Sequence, residues 1–453
     1  MGDRRATRRA RRNVGCALAA VMLVVLASGT TALADCIGEE SFNQFYTNVL
    51  ATDHGGFVMY DSADAESLSE PLLDEDHSSQ ALLYVMPAGL SSRARRIKLG
   101  VRGTFTSATT LFAEADGRIR TLVWRESQSQ GQHQKAILGS FAAQPLKTVV
   151  SPAGSPGYAP IAVTALRDGS YIVVVPASEP HGPATLQVID ADGTLGPKTS
   201  LGAAAVPDAS ATPEYALTQA SDGSVWVAGP GLLARWIPGE ALQIVAPTDA
   251  PYALAPGAEG TVWALTAGEG LVHAGPGGVL SSTTIPAGEG ASMASGEGLP
   301  TAALATRPDG SAVVAYGNRH GTFLTSTSTG GPGAALAKPR RIAKQPVLSI
   351  EDLDLQPATG TPFVSVTTST AAAIYAAGPN VRVTKLPGVS RGFSSKRPSL
   401  GFAPDGRAWV VWTVRRGSFC EGTEDSREVW ATLNPTGHLT AAHNLGNAEL
   451  WTL

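Results

Sequence analysis

Charged residues are scarce in this sequence. Asp, Glu, Lys and Arg make up 16% of its 453 residues, against about 25% in a typical soluble domain, so the surface must lean on Ser, Thr, Ala and Gly. Beyond residues 1–34 no stretch keeps a 3.6-residue hydrophobic period, which excludes long amphipathic helices. Cysteine is nearly lacking: there are only Cys16, Cys36 and Cys420. The eight histidines, at 54, 77, 133, 181, 273, 320, 438 and 443, form no His-x-x-x-His or Cys–His spacing, so a zinc site has no local support. A Gly-x-Ser-x-Gly elbow, a P-loop and a dinucleotide fingerprint are missing too, and no motif points to catalysis.

Turn formers are abundant instead. With 50 Gly, 31 Pro and a mean hydropathy of +0.03, the chain suits many short strands joined by tight turns.

Residues 1–34 read as a separate unit. Arg4, Arg5, Arg8, Arg9, Arg11 and Arg12 precede an uncharged stretch, Val14 to Ala34, that ends in the small-x-small signature Ala32-Leu33-Ala34. This pattern predicts a signal peptide cleaved before Asp35 and a secreted, extracytoplasmic protein. The alternative is an uncleaved anchor to the outer face of the membrane, since about 20 uncharged residues can cross a bilayer. The polar run Ser28 to Thr31 favours cleavage. Removing the leader's six Arg and one Asp from 34 basic and 38 acidic residues leaves 28 and 37, a net of −9. That balance predicts no nucleic-acid partner and no membrane insertion of the mature chain, with no basic cluster expected to offset it. The cysteines left are Cys36 and Cys420, which predict one disulfide in an exported chain; two unpaired thiols are the alternative.

One pattern recurs along the rest of the chain. Asp53-His54-Gly55-Gly56 precedes Phe57–Tyr60, Asp116-Gly117 precedes Ile119–Trp124, and Asp168-Gly169 precedes Tyr171–Val175. Asp222-Gly223 precedes Val225–Val227, and Glu259-Gly260 precedes Val262–Leu265. Asp309-Gly310, Thr359-Gly360 and Asp405-Gly406 precede Val313–Tyr316, Phe363–Val366 and Trp409–Trp412. These eight copies, about 50 residues apart, predict two-residue hairpin loops with positive φ at both central positions. A second hairpin follows in most units, as at Asp190-Ala191-Asp192-Gly193 and Asn434-Pro435-Thr436-Gly437. Four strands per unit predict the blade of a closed, all-β propeller covering residues 35–453, with eight blades. Seven blades is the alternative count, because the unit from Glu214 to about Ala246 is short, and a β-sandwich is the alternative fold. The cysteines favour a ring. Cys36 precedes the first unit and Cys420 falls in the last, and a disulfide needs Cα atoms within about 7 Å.

The runs Ser221-Asp222-Gly223-Ser224-Val225-Trp226-Val227-Ala228-Gly229 and Glu259-Gly260-Thr261-Val262-Trp263-Ala264 resemble NHL-like and virginiamycin B lyase-like propeller repeats. The resemblance covers the units at 168, 222 and 259 well and implies architecture alone. Lyases of that type use His and Glu around a metal on the propeller face. No His here has a Glu-His partner nearby; His181 and His320 could reach such a face or be ordinary loop histidines.

Propellers commonly bind on the face carrying the connections between second and third strands. The two longest such connections, Asp61 to Ser79 and Arg415 to Arg427, hold Asp74, Asp76, Glu421, Glu424 and Asp425. Ring closure would gather these into an acidic rim, either a site for Ca²⁺ or a basic partner, or a pair of solvated loops. Asp190-Ala191-Asp192-Gly193 lacks the further acids of a calcium loop and reads as a hairpin turn. Trp124, Trp226, Trp263 and Trp409 occupy similar strand positions and are expected to pack blade against blade. The sequence thus favours an exported, non-catalytic scaffold for a protein, glycan or small molecule, with no cofactor expected and Ca²⁺ as the alternative. The alternatives are a lyase or hydrolase with a polar site at the central channel, and a membrane-tethered propeller.

Overall fold

The computed structural model describes residues 48–445 apart from connecting segments, of which 62–80, 151–161, 203–214, 286–301 and 417–424 are the longest. For residues 104–150 it describes the backbone alone. The described residues form strands and turns, with no helix.

Eight antiparallel sheets of four consecutive strands follow one another. The first is β1 (Asn48–Thr52), β2 (Gly55–Asp61), β3 (Ala81–Pro87) and β4 (Arg95–Lys98). The second is β5 (Thr104–Ala113), β6 (Ile119–Ser127), β7 (Lys135–Ser140) and β8 (Lys147–Val150). Sheet three holds β9 (Ala162–Ala165), β10 (Tyr171–Val175), β11 (Thr185–Ile189) and β12 (Leu195–Ser200). Sheet four holds β13 (Ala216–Gln219), β14 (Val225–Gly229), β15 (Leu232–Trp236) and β16 (Gln243–Ala246), so the short unit is a complete sheet. Sheet five holds β17 (Pro251–Pro256), β18 (Val262–Thr266), β19 (Gly270–Gly275) and β20 (Gly278–Thr284). Sheet six holds β21 (Ala302–Thr306), β22 (Ala312–Asn318), β23 (Gly321–Ser326) and β24 (Arg340–Ala343). Sheet seven holds β25 (Ser349–Leu355), β26 (Pro362–Thr367), β27 (Ala372–Ala377) and β28 (Val381–Lys385). The last holds β29 (Ser394–Phe402), β30 (Ala408–Arg416), β31 (Asp425–Leu433) and β32 (His443–Asn444).

Burial runs in a gradient across the sheets whose side chains are described. Second strands such as β10, β14, β18 and β26 are buried along their whole length, which is why they read as unbroken apolar runs rather than alternating ones. First strands such as β9 and β13 are half-buried, and fourth strands such as β12 and β28 are largely exposed. A sheet buried on both faces at its middle must be stacked between two others. First strands touch in order around the molecule, from β1 through β5, β9, β13, β17, β21 and β25 to β29, and β29 returns to β1. The chain is therefore a closed β-propeller ring. Trp226 packs with Val262 and Ala264 between the fourth and fifth sheets, and Trp263 with Val314 and Tyr316 between the fifth and sixth. Trp409 packs with Ala51 and Met86 where the last sheet meets the first. Among the described residues no strand is exchanged across that closure, and packing of the first and last sheets makes it.

The turns depart from the expected geometry. In the loops at Asp168, Asp222, Asp309 and Asp405 only the glycine has positive φ, from 78° to 86°. Three residues rather than two separate the paired ends, as in Leu166 N–H to Ser170 O at 2.8 Å with Gly169 N–H to Leu166 O at 3.0 Å. This is a type I turn closed by a left-handed glycine. The aspartate acts through its side chain instead. Asp168, Asp222 and Asp309 each accept from the backbone N–H and hydroxyl of the serine two residues on. Positive φ at both central positions occurs at Glu259-Gly260, 52° and 77°, where Thr261 N–H bonds Ala258 O at 3.0 Å. Here too Gly257 N–H to Thr261 O at 2.8 Å leaves three residues between the paired ends. Gly56 is not a turn residue at all; it pairs with Ala51 inside β2.

Candidate functional site

The first strands line the centre of the ring, and most of them offer little chemistry. β9 reads Ala-Val-Thr-Ala, β13 Ala-Leu-Thr-Gln and β21 Ala-Ala-Leu-Ala-Thr. β25 differs, with Glu351, Asp352 and Asp354 in seven residues.

Edge strands carry backbone N–H groups that have no ladder partner. Two carboxylates of β25 serve those of the next sheet. Asp352 Oδ2 accepts from Leu400 N–H of β29 at 3.4 Å, and Asp354 accepts from the N–H of Phe402. Residues two apart on β25 thus meet residues two apart on β29, forming a side-chain ladder across the gap. Glu351 turns to its own sheet, accepting from the hydroxyls of Ser349 and, at 2.7 Å, Thr367.

Burial is the main influence on Asp352 and Asp354. It raises Asp352 to about 7; the neighbouring charge of Asp354 pushes the same way, and the N–H groups of Leu400 and Leu353 pull against it. Some of Asp352 stays accessible, as befits a group on the wall of a bore rather than in a dry core. Burial likewise raises Asp354, opposed by the N–H groups of Leu355 and Phe402. A carboxyl poised near neutrality can hold or release a proton, so Asp352 is the described group best suited to acid–base work.

His273 is the other strongly perturbed group, and it is buried away from any opening. Its ring stacks on Trp263 at 3.9 Å and 8°, and Nε2 lies 3.0 Å from Thr261 Oγ1. Burial lowers it to about 4, so it is neutral at ordinary pH.

Of the residues singled out from sequence, Cys36, Cys420, Asp74, Asp76, Glu421 and Glu424 lie outside the described residues. Asp425 begins β31, opposite Arg416 of β30. His181 also lies outside; His320 is exposed in the β22–β23 turn, where its N–H bonds Asn318. Asp190 and Asp192 form the β11–β12 hairpin, Asp190 N–H bonding Thr194 O at 2.8 Å. Among the described residues no group of three or more His, Cys, Asp and Glu is placed to hold a metal ion. Sequence reading passed over β25, although its signal was available: these are the only three acids between Gly310 and Pro404.

No family model matches the chain, and no curated protein does. Solved structures do. A lectin, BP39L from Burkholderia pseudomallei, is 11% identical with a TM-score of 0.50 over 89% of this chain and 99% of its own. Virginiamycin B lyase from Staphylococcus aureus is 12% identical with a TM-score of 0.41 over 67% and 90% of the two chains. The β-propeller domain of the Trilobed protease from Pyrococcus furiosus is 9% identical, with a TM-score of 0.43 over 90% and 99%. Matches of this kind are to β-propeller proteins, and they speak to fold alone.

Proposed function

We propose that the protein is an exported, non-catalytic binding scaffold. The observation that carries this reading is the use made of the polar groups in the bore. Asp352 and Asp354 bond the backbone of the neighbouring sheet and so brace the ring, while Glu351 is held within its own sheet by two hydroxyls. Connections 62–80 and 417–424 both link second to third strands, in the first and last sheets, which are neighbours. A protein, glycan or small molecule docks on that face, with the acidic rim of Asp74, Asp76, Glu421, Glu424 and Asp425 as a Ca²⁺ or basic-partner site. A thermal-shift screen of residues 35–453 against divalent cations, glycans and metabolites tests this, since a ligand at 100 times its Kd stabilises by about 2.7 kcal/mol. A shift without turnover supports the scaffold. Turnover of any stabilising compound overturns it.

One observation favours a second reading, a lyase or hydrolase acting at the channel: Asp352 is raised to about 7, where a general acid works best. Loss of turnover in Asp352→Asn with binding retained would establish it. An intact mass beginning at Asp35 distinguishes a secreted chain from one tethered by residues 14–34.

A further inference from the structure

Net charge conceals a separation of charge within the ring. Between Gly310 and Pro404 the sequence holds ten Lys and Arg but three acids, all on the innermost strand β25. Six of the ten cations gather at the outer rim, while Lys396 and Arg397 belong to the first strand β29. Lys338-Pro339-Arg340-Arg341-Ile342-Ala343-Lys344 puts four in seven residues at and beside β24, a basic cluster that contradicts the sequence-based expectation of none. β28 adds Arg382 and Lys385. These are the outermost strands of adjacent sheets. Arg340 joins them, its guanidinium donating to the carbonyls of Ala377, Gly378 and Pro379 in the β27–β28 turn. Lys338, Arg341, Lys344, Arg382 and Lys385 are exposed. The described ion pairs, Arg235–Asp222 and Arg407–Asp405, lie elsewhere.

We propose that this outer face of the sixth and seventh sheets binds an acidic polysaccharide. The cations line an open rim spanning two sheets, which matches a polymer with repeated charge better than a single anion. Neither Lys338–Leu348 nor Val381–Val389 contains an aromatic residue. Single-stranded nucleic acid needs such residues as stacking platforms, and membrane surfaces engage them. Val383 and Leu348, 50% and 49% exposed, instead offer aliphatic surface beside the charges, suited to the C–H faces of sugar rings. This surface is distinct from the bore, which the first strands line.

The test is binding of residues 35–453 to immobilised heparin, a sulfated glycan, and to alginate, a polyuronate. Retention is expected on one or both and reversed by salt, and which one retains the chain identifies the sulfate or carboxylate chemistry. The combined variant Lys338→Gln, Arg341→Gln, Lys344→Gln, Lys385→Gln should lose about ten-fold or more in affinity with an unchanged melting curve. A control, Lys198→Glu with Ser200→Glu on the third sheet, should stay within about two-fold of the parent. If the combined variant misfolds, Lys385→Gln alone should still weaken binding. No retention on either polymer, an equal loss in the control, or equally tight binding of duplex DNA or phosphatidylglycerol vesicles overturns the proposal.

Discussion

Gly56 of the first sheet lies flat against the indole of Trp409 in the last, so closely that a Cβ there would overlap the ring. Gly401 makes the same kind of approach from the other side, its Cβ position 2.9 Å from Val49 O. The ring closes where two side chains are missing. Gly56→Ala should therefore destabilise by about 1–3 kcal/mol through overpacking. Urea unfolding followed by tryptophan fluorescence measures it, and an unchanged midpoint would show that this joint has slack.

The disulfide expected between Cys36 and Cys420 would brace the same joint. Cys36→Ser should lower the melting temperature by several degrees, the chain-entropy ceiling for so long a loop being about 4–5 kcal/mol. An identical melting curve for the two proteins would remove the clasp.

Two buried groups should set opposite pH slopes. His273 is lowered to about 4 from 6.5, so the folded chain binds fewer protons in that window, and stability is lost as pH falls through it. Asp352 is raised to about 7 from 3.8, so the folded chain binds more protons there, and stability is lost as pH rises toward 7. Between about pH 4 and 6.5 the two partly cancel, leaving a plateau followed by a decline near neutrality. Asp352→Asn should raise stability at pH 8 by about 1–2 kcal/mol, allowing for water in the bore, and by less at pH 5. His273→Phe should remove the acid loss instead. Melting curves from pH 4 to 9 decide the matter; a pH-independent gain in Asp352→Asn would refute the assignment.

Equivalent turns of the fourth and sixth sheets should differ in their tolerance of a methyl group. Gly223 and Gly310 share nearly the same positive φ, 86° and 78°. A Cβ at Gly223 meets nothing, whereas at Gly310 it overlaps the backbone of Ala258. Gly310 O also accepts the Trp263 indole N–H at 2.8 Å. Gly223→Ala should cost about 1 kcal/mol and Gly310→Ala roughly 1–3 kcal/mol more. Equal denaturation midpoints would contradict this account of the interface.

Much of this architecture was legible in the residues because each unit announces itself locally. A left-handed glycine before an apolar run marks the first hairpin, and the runs at β10, β14 and β18 are apolar throughout because two sheets cover them. Local pattern misled at Gly56, where a glycine needed for close packing mimics a turn residue. It misled again over turn geometry, since Asp-Gly suits both two- and three-residue loops and hydrogen bonding to Ser170, Ser224 or Ser311 selects between them. The acids of β25 and the cations of Lys338–Lys344 stand as clusters in the sequence, but their meeting with β29 and with β28 was not legible. Each depends on which strand of one sheet lies beside which strand of the next, and a net charge averages over such placement.

Among the described residues every sheet is finished by the time its own fourth strand exists, and no hydrogen-bonded strand comes from the opposite end of the chain. Continuity of the backbone is therefore needed within a sheet but not at any particular connection between sheets. Joining the residues before β1 to those after β32 and cutting at 203–214 or 286–301 would give a circularly permuted chain with all eight sheets intact. Lineages built this way can gain or shed a unit, or begin at a different one, without rewiring a single ladder.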